Sequence, residues 1–154
     1  MPNNIERYAL NKNGEGYTDN TACKGIKRAD KGKTNKPKTT EAQEQKDLMQ
    51  WAKWQEGRYP ELKLLYHCPN GGTRNKMEAA NLKRQGVKAG VPDLFLPVPR
   101  GNSHGLFLEM KVGRNKCTDN QKKWIRALME QGYEVKVCYS CEEAIQIIKK
   151  YLNI

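Results

Sequence analysis

The stretch GVPDLFLPVPRGNSHGLFLEMK, from Gly90 to Lys111, sets Asp93 after a proline and Glu109 one residue from Lys111, all within runs that otherwise read as apolar strand. Strands over 93–98 and 105–112 are predicted, joined by the turn-rich PRGNSH in a hairpin-type connection. If the two pair symmetrically about Gly101, position 93 faces position 109, and directly opposed Cβ atoms lie about 4.5–5.5 Å apart. The period of two sends Phe107, Glu109 and Lys111 to one face and Leu106, Leu108, Met110 and Val112 to the other. Opposed carboxylates repel unless something neutralises them, and a divalent cation does so. Oxygen ligands without a His or Cys cluster favour Mg²⁺, with Mn²⁺ able to take its place. Lys111 then supplies positive charge to an attacking water or a phosphate. The plainer reading is a Glu and a Lys on the wet face of a hairpin, with Asp93 as a turn residue. E-x-K alone favours that reading; the preceding Pro-Asp, the apolar flanks and the net charge favour a metal site.

Those residues need elements to hold them. Thr40-Glu41-Ala42-Gln43 has the form of a capping box, opening a helix that runs to Gln55 or Glu56 with Gly57 as its stop. At about 100° per residue, Glu41, Gln45, Leu48 and Ala52 share one stripe, and Glu44 lies about 60° off it. LKLLYHC, 62–68, reads as a strand and PNGG as a turn, and Asn75 with Glu78 can cap a short helix from 76 to about 85. After the hairpin, Thr118-Asp119-Asn120-Gln121 repeats the box and starts a helix through Met129, ended by Gly132. Gln121 shares a stripe with Trp124, Ile125 and Leu128 and points toward the sheet. Its amide either satisfies the helix N-terminus or orients water or phosphate. YEVKVCY, 133–139, is the last strand, and Ser140 with Glu143 caps a final helix carrying Ala144, Ile145, Ile148 and Leu152. PNGGTRN, 69–75, reads as a phosphate-facing loop, with Asn70, Gly71 and Gly72 offering backbone amides and Arg74 a charge, or as an ordinary tight turn. Lys116 is a further DNA-contacting candidate.

Bulk properties narrow the class. At 154 residues, 37% hydrophobic, the chain suits one globular domain. Its formal charge of +11 and pI near 9.5 favour a polyanionic partner, nucleic acid first. No apolar run approaches the ~18 residues of a membrane span, and the first residues lack a signal peptide's apolar stretch, so a cytoplasmic location is expected. Five cysteines without a regular framework fit a reducing compartment, and Cys138-x-x-Cys141 reads as reduced structural thiols in preference to zinc. Residues 1–38 carry nine Lys and Arg against four acids, net +5, with few large apolar side chains. They read as a flexible basic arm preceding a domain over 39–154.

The predicted order αβ(α)ββαβα, with PD opening one strand and EMK in the next, resembles the PD-(D/E)XK nuclease fold: a mixed central sheet flanked by helices, in the α/β class. NGGTRNKMEAANLKRQGVKAGVPDLFL, GLFLEMKVGRNKCTDNQKKWIRALMEQGYEVKVC and EEAIQII closely resemble the virus-type replication-repair nuclease (VRR-NUC) domain in its stand-alone phage form, over residues 39–150. The resemblance implies that Asp93 and Glu109 are metal-binding acids, Lys111 the motif lysine and Gln121 the glutamine that starts the following helix. It implies that the first-helix acid is Glu41, with Glu44 as rival, and that the Met110 carbonyl touches the metal. It further implies a Mg²⁺-dependent endodeoxyribonuclease acting as a homodimer on branched DNA such as Holliday junctions, in phage or bacterial replication, repair or recombination. Two alternatives are a DNA-binding accessory protein that keeps the fold without cutting and a restriction-type nuclease. A broken acid set would mark the first and additional recognition elements the second.

Overall fold

Thr40 takes extended backbone angles, and its hydroxyl accepts from the Gln43 amide at 3.2 Å, so helix α1 (Glu41–Gln55) begins where the capping pattern places it. Gln43 does not complete the box, because its own amide donates onward to Asp47. Pro60 then opens a 3-10 turn, Pro60–Leu64, which corrects the strand expected over 62–68. Leu62 and Leu65, three residues apart, enter the core while Leu64 stays half exposed, a spacing that suits three residues per turn and not strand alternation. Two residues of that strand remain, as β3 (Tyr66–His67).

The computed structural model describes residues 39–69 and 76–154, together with the two-residue strands β1 (Ala9–Leu10) and β2 (Gly16–Tyr17), which pair antiparallel. The rest of the expected basic arm, the PNGG turn beyond Pro69, and the loop candidates Asn70, Gly71, Gly72 and Arg74 lie outside the described residues, as does Asn75, the expected cap of α2 (Lys76–Arg84). The chain continues through β4 (Leu94–Leu96), β5 (Leu106–Met110), α3 (Asp119–Glu130), β6 (Glu134–Cys138) and α4 (Cys141–Leu152).

The four core strands form one mixed sheet in the order β3-β4-β5-β6, antiparallel except for the parallel pair β5/β6. A parallel neighbour needs a crossover of a dozen or more residues, and α3 supplies it. β4 and β5 pair as Leu94↔Leu108, Phe95↔Phe107 and Leu96↔Leu106, the register symmetric about Gly101. Both strands are shorter than expected. Pro97 and Pro99 cannot donate to a ladder, and the connection closes instead on a bridge between Arg100 and Ser103.

Leu94, Leu96, Leu106, Leu108 and Met110 pack with Leu48 and Trp51 of α1 and with Ala144, Ile145 and Ile148 of α4 into one core. Each such large side chain contributes roughly 1.5–3 kcal/mol. On the opposite face Phe95 stacks on Phe107 at 4.1 Å, and Tyr133 meets both rings edge-on. Both faces of β5 are therefore covered, and all five of its residues are buried, which removes the wet-hairpin reading. Cys138 and Cys141 are buried and not joined in a disulfide, and burial pushes the Cys138 thiol up to about 12. Among the described residues no helix is long and apolar enough to cross a membrane.

Candidate active site

Extending the β4/β5 register by one pair sets Asp93 opposite Glu109, two residues beyond the Phe95–Phe107 stack and on the same face. These acids line a cleft of about 550 Å³ whose walls also include Glu41, His67, Lys111 and Gln121. Asp93 Oδ2 accepts from the Met110 backbone N–H at 2.8 Å, fixing its carboxylate against β5. Glu109 is fully buried. Its Oε1 accepts from Lys111 Nζ at 2.5 Å and from Gln121 Nε2. Its Oε2 is buried and, among the described residues, has no hydrogen-bond partner.

Lys111 Nζ also donates to the Met110 carbonyl at 2.9 Å and lies 3.6 Å from Glu41 Oε2. The Asn115 side chain donates to Glu41 Oε1 at 3.0 Å. Glu44 is turned elsewhere: its carboxylate accepts from the Cys141 N–H at 2.7 Å, at the start of α4. Of the two first-helix acids, the cleft therefore receives Glu41. Gln121 takes the capping role expected of it and spends its other amide atom on Glu109. Its Oε1 accepts from the Thr118 N–H at 2.8 Å and closes the capping box, while its Nε2 holds Glu109. Lys116 is exposed and does not line the cleft.

Burial pushes the Glu109 carboxyl up to about 7, with help from Asp93 and Glu41 and against the opposing hydrogen bond and charge of Lys111. Burial acts to lower Lys111, but the Glu109 hydrogen bond and the charges of Glu109, Glu41 and Asp93 outweigh it and raise it. The carboxylates around Lys111 thus favour its ammonium form in this structure.

Desolvating a carboxylate oxygen without a partner is costly, and a cation bound there removes that cost. Glu109 Oε2 opposite Asp93 fits such an ion. Among the described residues no three His, Cys, Asp or Glu side chains are gathered closely enough to hold an ion alone. The donor set of two carboxylates, completed by water, suits a hard ion that retains part of its hydration. The Met110 carbonyl faces Lys111 in this structure.

Several contacts escape any reading of the sequence alone. His67 Nδ1 lies 2.9 Å from the Asp93 carbonyl, which can only accept, so the bond requires the Nδ1–H tautomer. The Cys68 N–H donates to the same carbonyl at 2.8 Å, fastening the end of β3 to Asp93. Asn115 meets Glu41 across 74 residues of sequence. Gly90 has φ +91°, and a Cβ there would meet the Asn120 backbone at 2.9 Å, so the approach of the pre-β4 loop to α3 requires glycine. A lone His before PNGG and a Gly before V-P-D are the faint signals available for two of these.

The family model of the VRR-NUC domain matches residues 39–142. The chain belongs to the VRR-NUC family. One solved structure, described as a VRR-NUC domain protein, is 35% identical, covers 75% of this chain and 90% of its own, and superposes with a TM-score of 0.64. No curated protein matches. VRR-NUC is a nuclease-type family, and the four-stranded mixed sheet with its four helices agrees with a PD-(D/E)XK-like core.

Proposed function

We propose that this VRR-NUC protein is a metal-dependent endodeoxyribonuclease. The observation that carries the reading is Glu109: one oxygen is clamped by Lys111 and Gln121, and the other is buried and unpartnered beside Asp93. Asp93 and Glu109 would hold Mg²⁺, or Mn²⁺, with Glu41 and the Met110 carbonyl as further candidate ligands. When bound, the ion supplies charge neutralisation at the phosphodiester and acidifies an attacking water. Lys111 adds a fixed positive charge where the phosphate gathers negative charge, and Gln121 keeps Glu109 turned toward the ion. Asp93, Glu109 and Lys111 are all in place, which disfavours a non-cutting accessory role.

The substrate we assign is branched DNA, four-way junctions foremost, cut by a homodimer because symmetric resolution needs two coordinated incisions. The setting is phage or bacterial DNA replication, repair or recombination in the cytoplasm, and Lys116 with Asn70, Gly71, Gly72 and Arg74 contributes DNA contacts. The test uses labelled single-strand, duplex, flap and four-way DNA with Mg²⁺, Mn²⁺ or EDTA. Wild type is expected to cut the junction only with metal, while Asp93→Ala and Glu109→Ala lose at least about 100-fold in rate and still bind DNA. Either variant cutting at the wild-type rate overturns the assignment. A monomer by sedimentation that still resolves junctions symmetrically overturns the dimer.

A further inference from the structure

The charge inside the cleft poses a problem for any nucleic-acid backbone. Glu41, Asp93 and Glu109 are there, and the ammonium of Lys111 is taken up by Glu109, the Met110 carbonyl and Glu41. One other lysine lines the cleft, Lys46 on α1, and among the described residues its side chain makes no ion pair or hydrogen bond. Two further cations sit in the loop that is tied to the cleft wall. Asn115 is bonded to Glu41 at 3.0 Å, and Thr118 lines the cleft, so the loop between β5 and α3 runs along the edge from the first turn of α1 to the start of α3. Arg114 and Lys116 flank Asn115, both exposed and, among the described residues, without a side-chain partner.

A basic cluster at the other end of the sheet differs. There a cavity of about 340 Å³ is bordered by Arg100, Lys136 and Lys150. Arg100 is paired with Glu61 at 2.8 Å and Lys136 with Glu134 at 3.3 Å. Two of the three cations at that end are thus paired with acids, whereas none of Lys46, Arg114 and Lys116 beside the cleft is, among the described residues. Neighbouring like charges are held apart from protein anions at an electrostatic cost, which a polyanion removes by binding them.

We propose that Lys46, Arg114 and Lys116 form a phosphate track that carries the backbone of the bound DNA strand over the first turn of α1 into the cleft, with the Asn115–Glu41 bond setting where the track meets the acids. The DNA partner rests on the nuclease reading; the track itself rests on the placement and pairing of these three cations. The contacts are to phosphate, so they position the strand without reading its sequence.

The experiment measures binding of the full chain to fluorescent duplex and four-way DNA in EDTA across a salt series. The variant is Lys46→Gln/Arg114→Gln/Lys116→Gln, and the control is Lys136→Gln/Lys150→Gln at the opposite end. Loss of three phosphate contacts lowers the slope of log K against log salt by roughly 2–3 and weakens binding equally on unrelated sequences. The control keeps the wild-type slope and cutting rate. A triple variant with the wild-type slope, its circular dichroism unchanged, overturns the track and leaves the nuclease reading standing. Equal slope losses in the triple variant and the control also overturn it, because charge anywhere on the surface would then suffice. Wild type that binds with a steep slope but cuts nothing in Mg²⁺ or Mn²⁺ overturns the nuclease reading, while the slope comparison still decides the track.

Discussion

Glu109 concentrates the chemistry of the site in a single carboxyl. Its ordinary value of 4.5 rises to about 7, chiefly through burial, so the folded chain binds a proton there that the unfolded chain has already released between those values. The folded state carries more protons than the unfolded state in that window, and the contribution of this group to stability therefore falls as pH rises from about 4.5 through about 7. A divalent cation binds only the deprotonated carboxylate, so proton and metal compete. The increase in melting temperature produced by saturating Mg²⁺ over EDTA is expected to be larger at about pH 8 than at about pH 6. An increase independent of pH, or larger at the acidic value, would remove Glu109 from the metal site. Asp93, Glu109 and Lys111 were legible in the sequence because a strand's period of two and a symmetric turn fix which residues share a face. The choice between Glu41 and Glu44 was not, because two helical positions about 60° apart can both look inward. It took the N-terminus of α4 to claim Glu44.

At the scale of elements, the site depends on how closely the loop before β4 approaches α3. Gly90 permits that approach, with φ +91° and the Asn120 backbone 2.9 Å from where a Cβ would sit. Lys88 reinforces it with its ammonium 5.9 Å over the Trp124 ring. Gly90→Ala is expected to cost about 2 kcal/mol in urea unfolding, since an L residue pays roughly 1–2 kcal/mol for the left-handed region before any clash. Gly57 has ordinary backbone angles and open space around it, so Gly57→Ala should be neutral or slightly stabilising. Equal midpoints for the two variants would count against the close approach. The caps of α1, α3 and α4 were readable because Thr40, Thr118 and Ser140 act on amides three residues away. The 3-10 turn was misread as strand because its run of leucines carries no period of its own, and Pro60 stands just outside the run that suggested a strand.

The whole molecule is a basic body around an acidic cleft. Of the formal +11, residues 1–38 supply +5, which leaves +6 on residues 39–154. Among the described residues, those from 39 onward hold all four helices and the entire four-stranded sheet. Deleting residues 1–38 should therefore leave circular dichroism and cooperative unfolding intact while DNA binding becomes less sensitive to salt. A truncated chain that fails to fold, or one with an unchanged salt slope, would contradict the division at residue 39. From the sequence by itself came the helix starts, the strand register about Gly101, the paired acids with their lysine and the polyanionic partner, all consequences of local periodicity, turn symmetry and summed charge. Only the tertiary structure decided which first-helix acid enters the cleft, that both faces of β5 are covered, that one oxygen of Glu109 lacks a partner, and which cations stay unpaired. Those outcomes depend on contacts between residues far apart in the chain, and such contacts leave no period in the sequence.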